Sequence, residues 1–304
     1  MINSIRNKIL LIGCGYWGKN WYKTIKSSPH QLAGVVDPKP SCVIDEPVFR
    51  DCSDVDIDFT HAIVATEPST HVKIVNSLPL PQENILVEKP CGLDANEGFK
   101  LNNCFPGYIF LHSAALRYIQ ENISKIGSPQ YWRSVRASMG PRIRTDVSIL
   151  EDYLIHDLYL YQSIFGQPEI SESIFEREFE PPVKPSSINL FFKSPVPASL
   201  YSSWNYPIKE RKLIIKGSFV WENDDLYFSS SKYITIDSVD DLGNQGYELK
   251  DSPLTQINLP IVSNLELELD AFLNRPEKFT LDISKIWSII DNCYEKNTTR
   301  ETVP

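Results

Sequence analysis

Three glycines near the start of the chain, Gly13, Gly15 and Gly18, have the G-x-G-x-x-G spacing that suits phosphate binding. They follow an apolar run and precede a helix-like stretch, so they can form a turn between a strand and a helix that lets backbone approach a pyrophosphate. Asp37 follows about 20 residues later, where an acid accepts hydrogen bonds from ribose hydroxyls and disfavours a 2′-phosphate. The pattern predicts NAD as the cofactor; the alternative is a glycine-rich turn with an incidental acid.

A second group of residues could move a proton. Oxidising a secondary alcohol sends a hydride from carbon while a proton leaves oxygen, so the site needs a base and a donor for the alkoxide. Lys89 lies in the VEKP turn that ends an apolar run. Asp152 and His156 are four residues apart, which places them on one face of a helix. Taken alone, these residues could instead be a solvated lysine and a helix-surface ion pair, or part of an incomplete metal site.

Composition and charge narrow the classes of partner. The 304 residues are 42% hydrophobic and 23% charged, as in folded proteins, and the length suggests two domains. A net charge of −9 argues against a nucleic-acid or anionic-membrane partner. The six cysteines form no C-x-x-C pair, and no targeting or membrane-spanning segment is evident. We therefore expect a cytoplasmic protein that binds a small molecule.

The elements that must position these residues change character along the chain. The first part alternates short apolar runs with turn signals and helix-like stretches, which predicts a parallel α/β sheet. Three prolines between the second and third runs argue against a regular crossover helix there. The runs are KILLIG (8–13), QLAGVVD (31–37), THAIVAT (60–66), NILVEKP (84–90) and YIFLH (108–112).

The second part predicts a different architecture. A helical stretch over 149–165 is followed by strand-like runs with short connections, which indicates a mostly antiparallel sheet. A helical pattern from about 264 to 294, interrupted at Arg275-Pro276, closes the chain. The change of pattern places a domain boundary near residues 110–120.

Three further motifs carry a resemblance to one family. ATEPSTH (65–71) resembles an A-T-P-x-x-x-H segment, VEKP (87–90) an E-K-P motif, and EDYLIHDL (151–158) a D-x-x-x-H-D helix. Together they resemble the glucose-fructose oxidoreductase, inositol dehydrogenase and rhizopine catabolism (Gfo/Idh/MocA) family over essentially the whole chain. Segments 15–20, 140–158, 203–217 and 264–273 look most like its UDP-N-acetylglucosaminuronic acid 3-dehydrogenase branch.

The chain also departs from the family pattern. It is shorter than is usual there, because the helix after Asp37 and the stretch between Cys91 and Tyr108 are truncated. Glu67 replaces the usual proline of A-T-P, and Pro68 follows it. The residues expected to do chemistry are all present.

The resemblance implies an N-terminal Rossmann domain over 1–115 and a C-terminal α+β domain over 116–304. The second domain would use an open, mostly antiparallel sheet for substrate binding and subunit contacts. Because an open sheet face is ordinarily covered by a partner, we expect a homodimer or homotetramer. The net charge already argues against a nucleic-acid or membrane partner. The resemblance also implies a cis Lys89–Pro90 peptide bond.

The same resemblance assigns roles to individual residues. It implies that His156 is the principal acid/base, that Lys89 acts with it, and that Asp152 orients His156 or accepts a sugar hydroxyl. The implied NAD contacts are Gly13, Gly15, Tyr16, Trp17, Gly18, Asp37, Thr66, Glu67, Pro68, His71 and Glu88, although His71 would mainly pack the start of its helix. The implied substrate contacts are Lys89, Arg117, Arg142, Arg144, Asp152 and His156; the three arginines could equally be ordinary surface residues. No metal is implied.

We therefore expect an NAD-dependent oxidoreductase acting on a secondary hydroxyl or ketone, at C3, of a sugar or sugar nucleotide. One alternative is an NAD-dependent glycoside hydrolase, in which transient oxidation at C3 acidifies the neighbouring C–H and lets the glycosidic bond eliminate. Another is a non-catalytic NAD-binding sensor or partner subunit. The presence of Lys89, Asp152 and His156 together argues against the sensor, since pure binding does not need that trio.

Overall fold

The computed structural model describes residues 7–125, 131–139, 146–176, 185–215, 219–228, 233–239, 245–249, 254–274 and 282–295. The chain divides into two compact units. The first is Met1–Ser113 with Val262–Asn292, and the second is Ala114–Ile261 with Cys293–Pro304.

The first unit contains a six-stranded, all-parallel sheet in the order β3-β2-β1-β4-β5-β6. This is the strand order of a Rossmann domain, in which the order reverses between the first and fourth strands. The predicted Rossmann fold is therefore confirmed. The strands are β1 (Lys8–Ile12), β2 (Gln31–Val36), β3 (Val48–Phe49), β4 (His61–Val64), β5 (Ile85–Glu88) and β6 (Phe105–Gly107).

Helices cover this sheet because its strands are apolar on both faces. Trp21 and Ile25 of the first helix pack in one core with Leu269 and Phe272 of the sixth. The helical pattern near the end of the chain thus completes the core of the first unit. The helices that belong wholly or mostly to the first unit are α1 (Gly18–Ser27), α2 (His71–Ser77), α3 (Ala95–Lys100), α6 (Asn264–Leu273) and α7 (Ile283–Glu295). The second unit contains α4 (Ala114–Asn122) and α5 (Ile155–Phe165).

The sequence interpretation of 108–112 as a strand is wrong. The sixth strand is Phe105–Gly107, and Ile109–His112 forms a 3₁₀ turn that packs against α6. Among the described strands β6 pairs with β5 alone, and such an edge position tolerates Pro106, which lacks an N–H. The turn is partly buried, which accounts for its apolar residues. Periodicity alone cannot distinguish such a turn from a short strand. By contrast, residues 38–47 contain no helix, as the prolines predict.

The second unit contains an eight-stranded sheet in the order β16-β13-β12-β11-β7-β10-β9-β8, and β14 pairs with β15 in a separate ladder. Only the β7–β10 pair of the large sheet is parallel, so the predicted mostly antiparallel α+β architecture is confirmed. The strands are β7 (Trp132–Ala137), β8 (Glu169–Glu176), β9 (Ser187–Ser194), β10 (Ala198–Ser203), β11 (Glu210–Ile215), β12 (Phe219–Glu222), β13 (Asp225–Phe228), β14 (Tyr233–Val239), β15 (Gln245–Leu249) and β16 (Thr255–Ile257).

One helix crosses the large sheet and carries two of the predicted site residues. A π-helical turn over Leu150–Leu154 leads directly into α5 and packs against β7 and β10. α5 is buried over much of its surface, and Trp132 of β7 meets Tyr161 edge-on at 5.6 Å between ring centroids. This packing fixes the helix on the sheet and leaves Asp152 and His156 half-buried.

Glu268 on α6 is a buried acid in the first unit. Its side chain is inaccessible to solvent, and neither carboxyl oxygen has a hydrogen-bond partner among the described residues. Burial, reinforced by the nearby Glu88, raises the pKa of Glu268 well above its ordinary value of 4.5. The folded protein therefore retains this proton at a pH where the unfolded chain has lost it.

We predict that Glu268→Gln flattens the pH dependence of stability. Because the folded pKa of Glu268 is raised, the contribution of this group to stability is fully present below about pH 4.5 and is lost as the pH rises through the folded pKa. An uncharged glutamine removes this contribution, so the loss in free energy of unfolding between about pH 5 and about pH 8 should shrink. Urea unfolding at several pH values measures the free energy of unfolding of wild type and variant. Glu266→Gln is the control, because Glu266 lies on the same helix but is exposed. The prediction is contradicted if the free energy of unfolding changes equally with pH in Glu268→Gln and in wild type.

Candidate functional site

The glycine turn after β1 has the geometry that phosphate binding needs. Gly13 has φ +88°, and a Cβ there would lie 2.7 Å from the Ala65 carbonyl oxygen. A Cβ on Gly18 would lie 2.0 Å from the Gly13 carbonyl oxygen, so both positions require glycine. Gly15 is different, because nothing lies within 4 Å of a Cβ built there. The open space lies at the N-terminal end of α1, where backbone N–H groups favour an anion.

Asp37, just after β2, is fastened to this turn. Its Oδ2 accepts a hydrogen bond from the Cys14 backbone N–H at 2.6 Å, and its Oδ1 accepts one from the Lys39 N–H at 2.7 Å. Each carboxylate oxygen can accept more than one hydrogen bond, so the group can still bind a ribose hydroxyl. The shortened loop also reaches the turn, since Ser41 Oγ donates to the carbonyls of Cys14 (2.7 Å) and Gly15 (2.9 Å). Sequence reasoning missed Ser41.

Internal hydrogen bonds hold the loop after β4, residues 65–71, in place. His71 is fully buried, and its Nε2 lies 3.2 Å from the Thr66 carbonyl oxygen. The Thr66 and Thr70 hydroxyls are 2.7 Å apart, while Glu67 is exposed and Pro68 buried. His71 therefore holds the backbone of this loop in place, in line with the packing role expected of it.

Glu88 at the end of β5 joins α1 to the segment that carries Lys89. Its Oε1 accepts hydrogen bonds from the indole N–H of Trp21, at 2.6 Å, and from that of Trp17. Its Oε2 accepts the Lys89 backbone N–H at 3.2 Å, and burial raises the pKa of Glu88. The Lys89–Pro90 peptide bond is cis, which confirms that prediction. Trp21 was missed because a buried tryptophan on a helix has no signal distinguishing it from ordinary core.

These segments share one edge of the sheet. All of them follow the carboxyl ends of parallel strands, and the carboxyl ends of parallel strands meet at the same edge. The glycine turn follows β1, and Thr66 follows β4, so they flank the point where the strand order reverses. Tyr16 also lies at this edge; it is 82% exposed, with the Lys19 ammonium 5.0 Å from its ring centroid. The first unit thus brings together the residues predicted to contact NAD.

We predict that Gly15→Ala folds like wild type but binds NADH about tenfold or more weakly. The added methyl meets no protein atom, yet it occupies the space where a pyrophosphate would approach. Gly18→Ala should instead lower the melting temperature, because its Cβ would overlap the Gly13 carbonyl. Fluorescence titration with NADH and thermal unfolding separate the two effects. Wild-type NADH affinity in Gly15→Ala would contradict a dinucleotide site at this turn.

Asp152 and His156 both belong to the second unit, Asp152 in the π turn before α5 and His156 in the first turn of α5. Asp152 is within the π turn, where the Ile155 N–H donates to the Leu150 carbonyl five residues back. π turns frequently mark functional sites. Asp152 Oδ2 accepts a hydrogen bond from the Trp204 indole N–H at 3.1 Å, and His156 Nδ1 lies 2.7 Å from the hydroxyl oxygen of a buried tyrosine, Tyr159. Sequence reasoning missed Trp204 and Tyr159, although helical i,i+3 spacing from His156 could have indicated Tyr159.

Two further contacts hold this helix on the sheet. Arg136 and Asp157 form a buried two-pronged ion pair, with Nε to Oδ2 at 3.3 Å and Nη2 to Oδ1 at 3.1 Å. The Ser138 and Tyr153 hydroxyls are 2.8 Å apart. Asp157, next to His156, therefore has a structural partner of its own.

Of the three arginines predicted to bind substrate, one lies within the described residues. Arg117 is exposed on α4, and Arg142 and Arg144 lie outside the described residues. No group of three or more His, Cys, Asp or Glu side chains in the described ranges could hold a metal ion. Among the described helices, none has the length and hydrophobicity needed to cross a membrane.

Comparison with solved structures identifies the fold. UDP-N-acetylglucosamine 3-dehydrogenase GnnA from Acidithiobacillus ferrooxidans is similar with a TM-score of 0.72, at 18% identity over 96% of each chain. A 3-ketoreductase from Actinomadura kijaniata, in complex with TDP-benzene and NADP, gives a TM-score of 0.73 at 13% identity, covering 96% of this chain and 98% of that one. An oxidoreductase from Agrobacterium radiobacter, in complex with NAD⁺, L-tartaric acid and magnesium, gives 0.67 at 16% identity over 96% of both.

These structural neighbours are oxidoreductases of the Gfo/Idh/MocA type. Their overlap with nearly the full length of the chain confirms the two-part fold that the sequence resemblance implied. No protein-family model and no curated protein sequence matches the chain.

Proposed function

We propose that the chain is a Gfo/Idh/MocA oxidoreductase that uses NAD to interconvert a secondary hydroxyl and a ketone, at C3, of a sugar or sugar nucleotide. The observation that carries the proposal is the open space at Gly15, beside Asp37, at the edge where the Rossmann strand order reverses. Similar folds in a sugar-nucleotide 3-dehydrogenase and a 3-ketoreductase support the choice of substrate class.

The residues of the first unit fit NAD. The N-terminus of α1 and the space at Gly15 suit its pyrophosphate, and Asp37 suits the hydroxyls of its adenosine ribose. Trp17, whose indole donates to Glu88, and the loop after β4 would line the binding site for the nicotinamide half of NAD. When bound, NAD would supply the hydride acceptor for alcohol oxidation, or the donor in the reverse direction.

The chain's own residues would manage the proton. In this proposal His156 takes the proton from the reacting hydroxyl, and the Lys89 ammonium stabilises the developing alkoxide. Asp152, held by Trp204, would accept a hydrogen bond from a neighbouring sugar hydroxyl. Arg117, together with the two arginines outside the described ranges, would bind the diphosphate or a carboxylate, since guanidinium forks match those groups.

The Asp37 carboxylate predicts a preference for NAD. A 2′-phosphate placed at that ribose would meet the negative charge, with Lys39 as the nearby cation. We expect NADH to bind more tightly than NADPH, and Asp37→Ser to narrow the difference. Titrating both coenzymes into wild type and variant measures this, and tighter binding of NADPH by wild type would refute the assignment.

The proposed reaction is tested by a substrate screen. UDP-sugars with and without a C6 carboxylate, and free sugars, are incubated with NAD while NADH formation is followed; NMR then identifies the oxidised carbon. A 3-keto product supports the proposal. Release of UDP from a UDP-sugar without net NADH would favour elimination at the anomeric carbon, as in the glycoside hydrolase. Coenzyme binding with no turnover on any sugar would favour the sensor.

We further propose that the chain forms a homodimer or homotetramer in the cytoplasm. The large sheet carries partly exposed apolar residues on neighbouring strands, including the cross-strand pair Val135 and Tyr201 and also Ile214. A sheet face of this composition suits burial against a second copy. All six cysteines are free thiols, which suits a reducing compartment. Light scattering after size-exclusion chromatography gives the molar mass, and so the number of subunits in the oligomer.

A further inference from the structure

The partner of His156 is a tyrosine on the same helix. The Tyr159 hydroxyl oxygen lies 2.7 Å from His156 Nδ1, and the two ring centroids are 5.5 Å apart at 78°. Tyr159 is fully buried, so packing holds its ring in place. A buried, packed hydroxyl at this distance fixes the orientation of the imidazole.

The Tyr159 hydroxyl can donate to Nδ1 or accept from it, so this contact links the tautomer of His156 to the role of its other ring nitrogen. A neutral imidazole has one N–H donor and one acceptor nitrogen, and the hydrogen bond made by one nitrogen sets the role of the other. If His156 accepts a proton from substrate at Nε2, then Nδ1 must carry the hydrogen and donate it to the Tyr159 oxygen. The phenol oxygen is uncharged, so it orients the ring without the full charge that a carboxylate would add.

The two carboxylates nearest His156 in sequence have donors of their own. Asp152 Oδ2 accepts from the Trp204 indole, and both oxygens of Asp157 accept from Arg136. The hydroxyl on Nδ1 therefore has a geometric role that the acid at i−4 was expected to fill from sequence.

We propose that Tyr159 is a positioning residue that holds His156 in the Nδ1–H tautomer and leaves Nε2 as the nitrogen for proton transfer. The inference rests on the proposed function, in which Nε2 takes the proton from substrate, but the tautomer itself can be measured without substrate. Tyr159→Phe removes only the hydroxyl. Tyr161→Phe is the matched control, because Tyr161 is equally buried on the same helix but donates to the Val196 carbonyl at 2.6 Å.

The experiment is nitrogen NMR on the full chain labelled at histidine. The chain has five histidines, and His156→Gln identifies the signal of interest. Spectra across a pH titration should show the Nδ1–H tautomer in the neutral form of wild type. Tyr159→Phe should shift the His156 ring nitrogens toward the other tautomer, and Tyr161→Phe should leave them unchanged.

Kinetics gives a second measurement. Loss of one neutral hydrogen bond is expected to lower kcat/KM by about 3- to 10-fold. The dissociation constant for NADH should not change in Tyr159→Phe, and Tyr161→Phe should retain wild-type turnover. If the ring spectra change as expected while no sugar is turned over, the tautomer assignment stands and the proposed function fails.

Three results would overturn the inference. They are an Nε2–H tautomer in wild type, an unchanged His156 spectrum in Tyr159→Phe, and an equal change in Tyr161→Phe. If Tyr159→Phe does not fold, as judged by circular dichroism, the wild-type tautomer alone decides.

Discussion

Replacing Lys89 or His156 by alanine is expected to lower kcat by about 10²–10⁴-fold, the usual cost of removing a positioned acid or base. NADH should still bind with wild-type affinity, because the groups proposed to bind the dinucleotide are Gly15, Asp37 and Trp17, whose indole donates to Glu88. The effect should therefore appear in kcat and leave the dissociation constant for NADH unchanged.

Two controls sharpen this test. Lys73 is an exposed lysine in the same unit as Lys89, so Lys73→Ala should retain full turnover. Added imidazole should partly restore His156→Ala if the missing group transfers a proton. Asp152→Asn should be milder, since its Oδ2 is held by Trp204 and the amide keeps an acceptor oxygen. Near-wild-type turnover in either alanine variant would remove that residue from the mechanism.

Replacing Arg136 by methionine is expected to destabilise the second unit by about 3–5 kcal/mol, since it leaves a buried carboxylate without its partner. Arg136 and Asp157 are 9% and 3% exposed, so solvent cannot replace the lost hydrogen bonds. The double variant Arg136→Met/Asp157→Leu should recover most of the loss, because it removes the unpaired charge as well.

Urea unfolding measures this effect, with Arg133→Met as the matched control. Arg133 lies on the same strand, β7, but is exposed, so its loss should change the free energy of unfolding by less than about 0.5 kcal/mol. If Arg136→Met is no less stable than Arg133→Met, the ion pair does not hold α5 on the sheet.

The sequence alone determined the features that depend on local chemistry. Spacing placed Gly13, Gly15 and Gly18 at a strand-to-helix turn, because a tight turn and close helix packing each exclude a side chain. Apolar runs located β1, β2, β4 and β5, since strands buried on both faces must be apolar along their length. Prolines correctly predicted a connection without a helix after β2, because proline disrupts a helix wherever it folds.

Other features were decided only by tertiary structure. The pattern of 264–273 predicts a helix, but not that Leu269 and Phe272 complete the core under β1. Likewise, the apolar residues of 108–112 are compatible with either a strand or a buried turn. In the fold, Ile109–His112 is a 3₁₀ turn that packs against α6. Such outcomes depend on which surfaces meet after the chain folds, and hydrophobicity alone does not specify a partner.

The polar partners in the candidate site show the same division. Helical spacing predicted Asp152 and His156 on one face of a helix. In the fold, Asp152 is hydrogen-bonded to the indole N–H of Trp204, and His156 Nδ1 to the hydroxyl of Tyr159. Ser41 contacts the glycine turn only because the loop after β2 folds back on it. Residue type and spacing thus predicted which groups could do chemistry. The hydrogen bonds that orient them depend on directions and distances across the fold, which a linear pattern does not contain.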